Sequence, residues 1–378
     1  MDYSGEELRM IWLRFAPAGS WRALDALVDK MGGVSAVWDR FYGEEVRNAL
    51  NGDAWAALEV IRRAGESRIV KMLDEIGAYA VGMNGASYPD RLRPLSCPPR
   101  ALFCKGTLPA DGAPAAAVIG ARRDTRYGRQ QAQKIARDLA SAGVVIISGL
   151  ARGIDTAAHL GALEGGGKTV AVLGNGISSV YPPENRELCR RIIASGGCVI
   201  SEFPPDAAPL SYHFPIRNRI ISALSDAVIL IEARKKSGTA STIGHALDQG
   251  KEIFALPGNV DAPGSELPLT LLKEGAQMLT CAGDVLEAMG WTSGGRQMSM
   301  FDEEDALEKE TEGDAILKAL LREDQTFEEL LEITGLDASE LSARLTILEI
   351  EGRIQRIGGR AYSAVRQLLR RGGGPAAN

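Results

Sequence analysis

The sequence has little of what metal sites and disulfide frameworks require. Among 378 residues there are five cysteines and three histidines. The cysteines are odd in number and form no C-x-x-C pair, and no histidine stands in a metal-type spacing such as H-E-x-x-H. We therefore expect free and mostly buried thiols, no metal site and no cofactor.

Long apolar segments are also missing. No run approaches the roughly 20 apolar residues that cross a bilayer. The acidic opening, MDYSGEELRM, lacks the basic-then-apolar order of a signal peptide. A hydrophobic content of 45% with 24% charged residues is typical of globular proteins. We expect a cytoplasmic protein without a membrane partner, and the length indicates about two or three domains.

A positive overall charge, the usual sign of nucleic-acid binding, is absent, because the net charge is −6. The charges are unevenly distributed, however. Residues 293–314 hold eight acids against two bases, whereas residues 352–378 hold six arginines and no acid. Local fields matter more than the total for binding a polyanion, so the net charge does not exclude such a partner.

Residues 1–76 have the apolar spacing of helices, interrupted at Gly32 and Gly33. We predict a small helical domain of the SAM or helix-hairpin-helix type. The G-x-G that such a hairpin would place near Gly19 is absent. A domain that serves only packing or interaction is therefore the alternative.

Residues 77–290 repeat a short apolar strand, a glycine-rich turn and a helical stretch. The predicted strands are 116–119, 144–148, 169–173, 198–201, 227–231 and 252–255. This alternation is typical of a doubly wound parallel sheet with helices on both faces. The predicted fold class is therefore α/β, with an extended Rossmann-like sheet in this domain.

The turns after the predicted strands combine glycine with arginine, lysine, serine or threonine. A parallel sheet places such turns at one edge, where its ligands bind. Glycine lets a phosphate approach the backbone, and arginine holds it with two hydrogen bonds. The segments are 120–123, 148–153, 174–176, 214–219 and 235–239. With Arg126, and with Tyr212 and Phe214 for stacking, they predict a phosphate-binding surface wider than one nucleotide needs.

An acidic linker, residues 291–312, is predicted to precede a third domain, residues 313–366. Three helices and a strand hairpin in that domain indicate a winged helix. Residues 367–378 are expected to form a disordered tail. The C-terminal arginines have three alternative roles: a solvated basic face, a nucleic-acid surface, or a surface onto which the acidic linker folds.

Two motifs indicate chemistry that their surroundings do not support. Residues 165–169, GGGKT, resemble the end of a P-loop, but Ala162 replaces its first glycine and a strand follows. We predict a helix end and a turn there. Asp155, His159 and nearby Ser148 suggest a hydrolase triad, yet the sequence has no G-x-S-x-G elbow. We predict that Asp155 caps or pairs locally and that His159 packs within its helix.

Taken in chain order, the motifs resemble the DNA-processing protein A family (DprA, also called Smf). The resemblance covers most of the chain. The matching segments are 88–92 (YPDRL), 97–106 (CPPRALFCKG), 118–122 (VIGAR), 148–159 (SGLARGIDTAAH), 181–185 (YPPEN), 201–202 (SE), 214–221 (FPIRNRII), 232–233 (EA), 236–239 (KSGT) and 256–258 (LPG).

The resemblance implies a non-catalytic protein that binds single-stranded DNA on its extended Rossmann domain. It also implies protection of incoming strands during natural transformation, loading of the RecA recombinase, and a homodimer. By motif match, the DNA-binding residues would be Gly120, Arg122, Ser148, Gly149, Arg152, Gly153, Phe214, Arg217, Asn218, Arg219, Lys236, Ser237 and Gly238.

The sequence departs from the family pattern at several positions. Ala121 removes a hydroxyl from the first turn, and Ser211 stands where some members have lysine. Glu266 and Pro268 follow the Pro-Gly loop, and they argue against a DNA contact from that loop.

An enzyme is the main alternative. Nucleotide phosphoribohydrolases of the lysine-decarboxylase-like family share this Rossmann variant with a G-G-x-G-T-x-x-E loop, and Gly238 and Thr239 stand at the comparable place. The carboxylate that such an enzyme needs is missing, because Thr242 and Ile243 stand there, which favours binding over hydrolysis. A transcription regulator, with a winged helix on duplex DNA and a nucleotide-sensing Rossmann domain, is the second alternative.

Overall fold

The computed structural model describes residues 3–291, 315–322, 324–350, 353–357 and 361–364. The chain divides into two compact units, residues 1–292 and residues 293–378. Nearly all of the predicted acidic linker, the predicted tail and four of the six C-terminal arginines lie outside the described residues. The folding of the linker onto those arginines therefore stays a prediction.

Six helices open the first unit, which confirms a helical N-terminal region. They are α1 (Gly5–Leu13), α2 (Trp21–Met31), α3 (Val34–Asp39), α4 (Glu44–Ala49), α5 (Gly52–Ala64) and α6 (Glu66–Glu75). Ser4 begins α1 in a capping box with Glu7. Apolar side chains of these helices share one core with Phe103 and Phe203, which belong to the sheet region. The helices therefore pack against the sheet, and their SAM or helix-hairpin-helix type stays a prediction.

Nine strands form the sheet of the first unit. They are β1 (Tyr79–Gly82), β2 (Ala101–Gly106), β3 (Ala115–Ile119), β4 (Val145–Ser148), β5 (Thr169–Leu173), β6 (Cys198–Ser201), β7 (Ala227–Leu230), β8 (Glu252–Ala255) and β9 (Gln277–Met278). Their order is β1-β2-β6-β5-β4-β3-β7-β8-β9. Within this order the run β6-β5-β4-β3-β7-β8-β9 pairs in parallel throughout, which confirms the predicted sheet. β1, β2 and β9 are additional, and β1 and β2 pair antiparallel at one edge.

Helices cover both faces of this sheet. One face holds α7 (Arg126–Ser141), α8 (Ile154–Glu164), α9 (Arg186–Ala194) and α13 (Ala282–Ala288), and the other holds α10 (His213–Ala223), α11 (Gly238–Asp248) and α12 (Glu266–Lys273). The pleat of β3 serves both faces. Ala116 and Val118 pack with the first group of helices, and Ala117 and Ile119 pack with the second.

The sheet topology sets where a ligand can bind. The chain places β4, β5 and β6 on one side of β3 and then crosses to β7 on its other side. The carboxyl ends of β3 and β7 therefore flank the point where the strand order reverses, which is the ligand crevice of open parallel sheets. The glycine- and arginine-rich turns follow β3, β4, β5 and β7, so the topology gathers them at this edge.

The described part of the second unit is a winged helix, as predicted. It contains α14 (Ala315–Arg322), α15 (Phe327–Thr334) and α16 (Ala338–Ile350), with β10 (Gln325–Thr326), β11 (Ile354–Ile357) and β12 (Ala361–Ala364). The strands pair in the order β10-β12-β11. Thr326 begins α15 in a capping box, and Gly335 ends it in the left-handed conformation. None of the helices in the described ranges is long and apolar enough to cross a membrane.

Candidate functional site

We use the name basic rim for the loops at the carboxyl edge of the sheet and the start of α10. It comprises residues 120–127, 149–153, 174–182, 211–217 and 231–238. With one exception, the residues predicted to bind DNA between positions 120 and 217 fall inside it. The exception is Ser148, which ends β4 directly beside the basic rim and is fully buried.

The first loop of the basic rim follows β3 and presents Arg122. Gly120 has no room for a side chain, because an added Cβ would lie 2.6 Å from the Ile154 side chain. Arg122 is exposed, and its guanidinium carbon lies 4.8 Å from the ring centre of Phe214. This is a cation–π distance. The loop therefore holds a cation beside an aromatic ring at the edge of the sheet.

The second loop follows β4 and joins the first one. Gly153 has a φ of 78°, and a Cβ there would lie 2.3 Å from the Ala121 carbonyl oxygen, so this position requires glycine. The Ser148 hydroxyl donates to the Val118 carbonyl at 2.7 Å. Ser148 is therefore a bridge between β4 and β3 rather than a group that faces a ligand.

Asp155 and His159 act as structural residues, as predicted. The Asp155 carboxylate accepts from the N–H groups of Gly149 and Ala151 at 3.2 and 3.4 Å. His159 is buried, with its Nδ1 2.7 Å from the Thr169 hydroxyl. Burial lowers the pKa of His159 to about 3, so the ring is neutral at physiological pH. With the Ser148 hydroxyl bound to the Val118 carbonyl, the geometry of a hydrolase triad is absent here.

Arg217 is buried and does not face the solvent at the basic rim, which corrects its predicted place among the rim cations. Its guanidinium donates to the carbonyls of Gly149, at 2.8 Å, and Val172. Only 3% of the residue is exposed. Burial lowers the pKa of Arg217 to about 10, although the nearby charge of Asp155 acts in the opposite direction and raises it. Arg217 therefore ties together the ends of β4 and β5 beneath the basic rim.

Asn218 and Arg219 also point into the protein. The Asn218 amide donates to the Gly238 carbonyl at 3.1 Å and to the Ser241 hydroxyl at 2.8 Å. The Arg219 guanidinium donates to the Glu202 carboxylate at 2.9 Å. Glu202 is itself buried and also accepts from Arg14, which directly follows α1, at 3.3 Å. These contacts fix α10 to its neighbours, and the role of Glu202 has no signal in the sequence beyond its place in the Ser-Glu motif.

Phe214 is the one residue of α10, among those predicted to bind DNA, that faces the surface of the basic rim. It is half-buried, and a Cβ on Gly174 would lie 2.7 Å from its ring. The ring centre of Tyr181 lies 5.9 Å away. A shallow cavity beside it is lined by Arg122, Gly149, Ala151, Arg152, Tyr181, Pro182 and Phe214. Residues from three separate loops and from the start of α10 therefore meet at one aromatic surface.

Arg152 is exposed but paired. Its guanidinium donates to the carboxylate of Glu184, and both side chains are about half exposed. Hydrogen bonding from Arg152 lowers the pKa of Glu184, so the carboxylate is ionised at neutral pH. A phosphate that reaches Arg152 must compete with Glu184. The sequence motif contains Glu184, but it does not show that this residue faces Arg152.

The loop after β7 completes the basic rim. Lys235 and Lys236 are exposed, and α11 begins at Gly238. The Ser237 hydroxyl is buried and has no hydrogen-bond partner within the described part of the chain. The Thr239 hydroxyl donates to the Gly120 carbonyl at 3.0 Å, so it joins this loop to the first one. A helix start with free N–H groups and a free hydroxyl is a favourable place for an anion.

The carboxylate of Glu232, which follows β7, binds the loop that follows β3, and β3 and β7 are the strands between which the strand order reverses. Glu232, which is buried, accepts from the N–H of Thr125 at 2.9 Å and from the Thr125 hydroxyl. A Cβ on Gly128 would lie 2.3 Å from the Glu232 carboxyl carbon. Glu232 therefore fixes the start of α7 and the arginine loop before it. No pattern in the sequence indicates this role, because the partner of Glu232 is distant in the chain.

Most of the rim cations have no salt-bridge partner among the residues that the structure describes. Six exposed cations form no salt bridge with any residue in the described ranges: Arg122, Arg123, Arg126, Arg234, Lys235 and Lys236. Such a row of uncompensated charges attracts a polyanion.

The comparisons with known proteins agree with these motifs. Residues 80–290 match the family model of DNA recombination-mediator protein A, and residues 302–360 match that of the DprA winged helix domain. The chain belongs to the DNA recombination-mediator protein A family. It is 38% identical to Protein Smf of Escherichia coli over 73% of this chain and 74% of that protein.

Two solved structures of DNA processing protein A are similar to this one. The protein from Streptococcus pneumoniae superposes with a TM-score of 0.62 at 30% identity, covering 76% of this chain and 98% of the other. The protein from Helicobacter pylori, described for its single-stranded DNA binding mode, gives a TM-score of 0.50 at 31% identity, covering 56% and 95%. The family resemblance and the fold expected from the motifs are thereby confirmed.

Two observations concern the enzyme alternative and a metal site. Thr242 and Ile243, where a phosphoribohydrolase of this fold would need a carboxylate, are buried in α11. Within the described ranges, no group of three or more His, Cys, Asp and Glu side chains could hold a metal ion. All five cysteines are free and three of them are buried, as the sequence predicts.

Proposed function

We propose that the protein binds single-stranded DNA along the basic rim, without sequence preference and without catalysis. In this role exposed cations hold the phosphates while Phe214 stacks on a base. The observation that supports the proposal best is the contact of Arg122 with Phe214. It places a cation and an aromatic surface side by side, which is the combination that single-strand binding requires.

The buried members of the predicted set have a supporting role in this proposal. Arg217, Asn218 and Ser148 hold the loops that present Arg122, Phe214 and the start of α11. The described DNA binding mode of the Helicobacter pylori relative supports single strands as the ligand.

The proposal extends to the steps after binding. A protein that coats incoming strands during natural transformation protects them and passes them to the RecA recombinase, and a homodimer would join two such surfaces. The Bacillus subtilis and Streptococcus pneumoniae relatives carry the name DNA processing protein, which supports a role in handling DNA. RecA loading is measured as RecA-dependent strand exchange with and without the protein, and the homodimer as its mass by analytical ultracentrifugation.

The central experiment compares single-stranded and duplex DNA. The full chain is titrated with oligothymidine and with a duplex of equal length, by fluorescence anisotropy, between about 50 and 200 mM salt. We expect tighter binding of the single strand. For each contacted phosphate, the logarithm of the affinity should fall by about 0.7 for every tenfold rise in salt.

Variants locate the binding surface. Phe214→Leu should weaken the single-strand complex and leave any duplex binding by the winged helix unchanged. Arg68→Ala, which removes an exposed arginine from α6, is the control and should bind like the parent protein. Equal or tighter binding of duplex, or full affinity of Phe214→Leu, would contradict the proposal.

A further inference from the structure

A second exposed aromatic side chain stands on the basic rim. Tyr127 is the second residue of α7, and 48% of it is exposed. Its hydroxyl makes only a long contact, 3.5 Å, to the carbonyl of Pro257, which follows β8. The ring is thus available on one face, on the opposite side of the reversal point from Phe214.

The position of Tyr127 is firmly held. Thr125 caps α7 by accepting from the N–H of Gly128 at 3.0 Å, and Glu232 holds Thr125 in turn. The close approach of Gly128 to Glu232 leaves little freedom for the first turn of the helix. A ring on such a support loses little conformational freedom when a base stacks on it.

The charges around Tyr127 suit a nucleic-acid backbone. Arg123 lies in the loop before α7 and Arg126 is the first residue of α7, and Arg234, Lys235 and Lys236 follow β7, the next strand across. None of these five forms a salt bridge within the described ranges. A single exposed aromatic residue is ordinary on a protein surface, but one among unpaired cations resembles the stacking sites of single-strand binding proteins.

The strand order gives the separation, along the sheet, of the points that the two aromatic residues contact. Phe214 covers Gly174, which follows β5, whereas Tyr127 reaches Pro257 after β8. In the order β5-β4-β3-β7-β8 these strands are four spacings apart, which is about 19 Å at roughly 4.8 Å each. A stacked strand rises about 3.4 Å per nucleotide, so this span corresponds to about five or six nucleotides.

We propose that Tyr127 is a second base-stacking site for single-stranded nucleic acid, which extends the binding track across the reversal point from Phe214 toward β8. The proposal rests on the proposed function. A strand too short to cover both rings uses only the Phe214 site, whereas a longer strand uses both.

The experiment measures affinity against strand length in the full chain. Oligothymidines of about 4 and about 15 nucleotides, the range of single-strand site sizes, are titrated into the parent, Tyr127→Leu and Tyr127→Phe. We expect Tyr127→Leu to lose about fivefold or more on the long strand and to match the parent on the short one. Tyr127→Phe keeps the ring and should bind the long strand like the parent.

Controls separate this proposal from the proposed function. Tyr42→Leu removes a similarly exposed tyrosine, 55% against 48%, from the turn between α3 and α4 and should change neither affinity. Phe214→Leu should weaken both lengths, and its failure to do so would count against the proposed function itself. Parent-like binding of the long strand by Tyr127→Leu, or an equal loss on both lengths, would overturn the second site.

A measurement on the parent protein does not depend on how the variants fold. A long oligothymidine with one 5-iodouracil, moved along the strand, is photo-cross-linked and the attached residue is identified by mass spectrometry. Cross-links to Tyr127 and Phe214 at positions about five or six nucleotides apart would support the proposal. Cross-links to Phe214 without any to Tyr127 would overturn it.

Discussion

The arginines at the carboxyl edge of the sheet fall into two sets that the sequence does not separate. Arg122 and Arg152 stand on loops and are exposed. Arg217 and Arg219 stand on α10, where Arg217 binds two carbonyls and Arg219 binds a buried carboxylate. Both sets belong to family motifs, but only the first can reach a phosphate without breaking buried contacts, and within it Arg152 must first leave the exposed carboxylate of Glu184.

The two sets contribute differently to the protein. In the proposed function the exposed set attracts the ligand, and its removal costs the fold little, because solvated surface charges contribute little to stability. The buried set holds the loops, and its removal would leave carbonyls unpaired and the buried Asp155 carboxylate without its nearby positive charge. Substitutions in the buried set should therefore lower stability. Substitutions in the exposed set should lower DNA affinity and leave stability nearly unchanged.

The largest expected effect is on the buried set. Arg217→Met should lower the free energy of unfolding by about 3–5 kcal/mol, because it strands the buried Asp155 charge and two carbonyls. Urea denaturation of the full chain, followed by circular dichroism, measures this change. Arg122→Met is the matched control and should alter stability by less than about 0.5 kcal/mol. Similar losses for the two variants would remove the distinction between the sets.

An intermediate effect is expected on the exposed set. Arg122→Ala should weaken single-strand binding about tenfold, since it removes a charge-assisted phosphate contact, and should reduce the salt slope by about 0.7. Arg152→Ala should lose less, about threefold, because Glu184 already competes for Arg152. Anisotropy titrations over a salt series test both values. If both variants bind with the parent's affinity and salt dependence, the DNA-binding surface lies elsewhere.

The smallest expected effect concerns the competitor of Arg152. Glu184→Gln should strengthen single-strand binding about twofold, because exposed ion pairs are weak. Arg152 lowers the pKa of Glu184, so the parent's carboxylate stays ionised throughout the neutral range. The gain should therefore be the same at slightly acidic and slightly basic pH, and it should vanish in the Arg152→Ala background. A gain that persists in that background would show that Glu184 acts through another residue.

Local patterns were sufficient to predict most of the sheet. Apart from β7, the apolar runs from β3 to β8 have a glycine within two residues of at least one end, so their position depends on near neighbours in the chain. The exceptions have physical reasons. β1 and β2 form an antiparallel pair that no helix separates, and β9 has only two residues, too few for a period to appear.

The candidate site was predicted only in part, and α10 shows why. His213, Arg217, Asn218 and Ser222 are buried together with apolar neighbours of the same helix. A helix that is enclosed on nearly all sides has no polar stripe, so its sequence does not reveal which cations face water. Tyr127 was missed for the opposite reason, because an isolated aromatic residue at a helix start has no distinguishing pattern.

The sequence by itself determined the family, the parallel sheet, the winged helix and the loops that form the basic rim, since these depend on local periodicity and on motifs. Only the tertiary structure decided which side chains of those loops are exposed. Burial and pairing join residues that are distant in the chain, as Glu232 joins Thr125 and Glu184 joins Arg152. The same charged residue is a ligand for phosphate or a support for a loop according to the partners that folding brings to it.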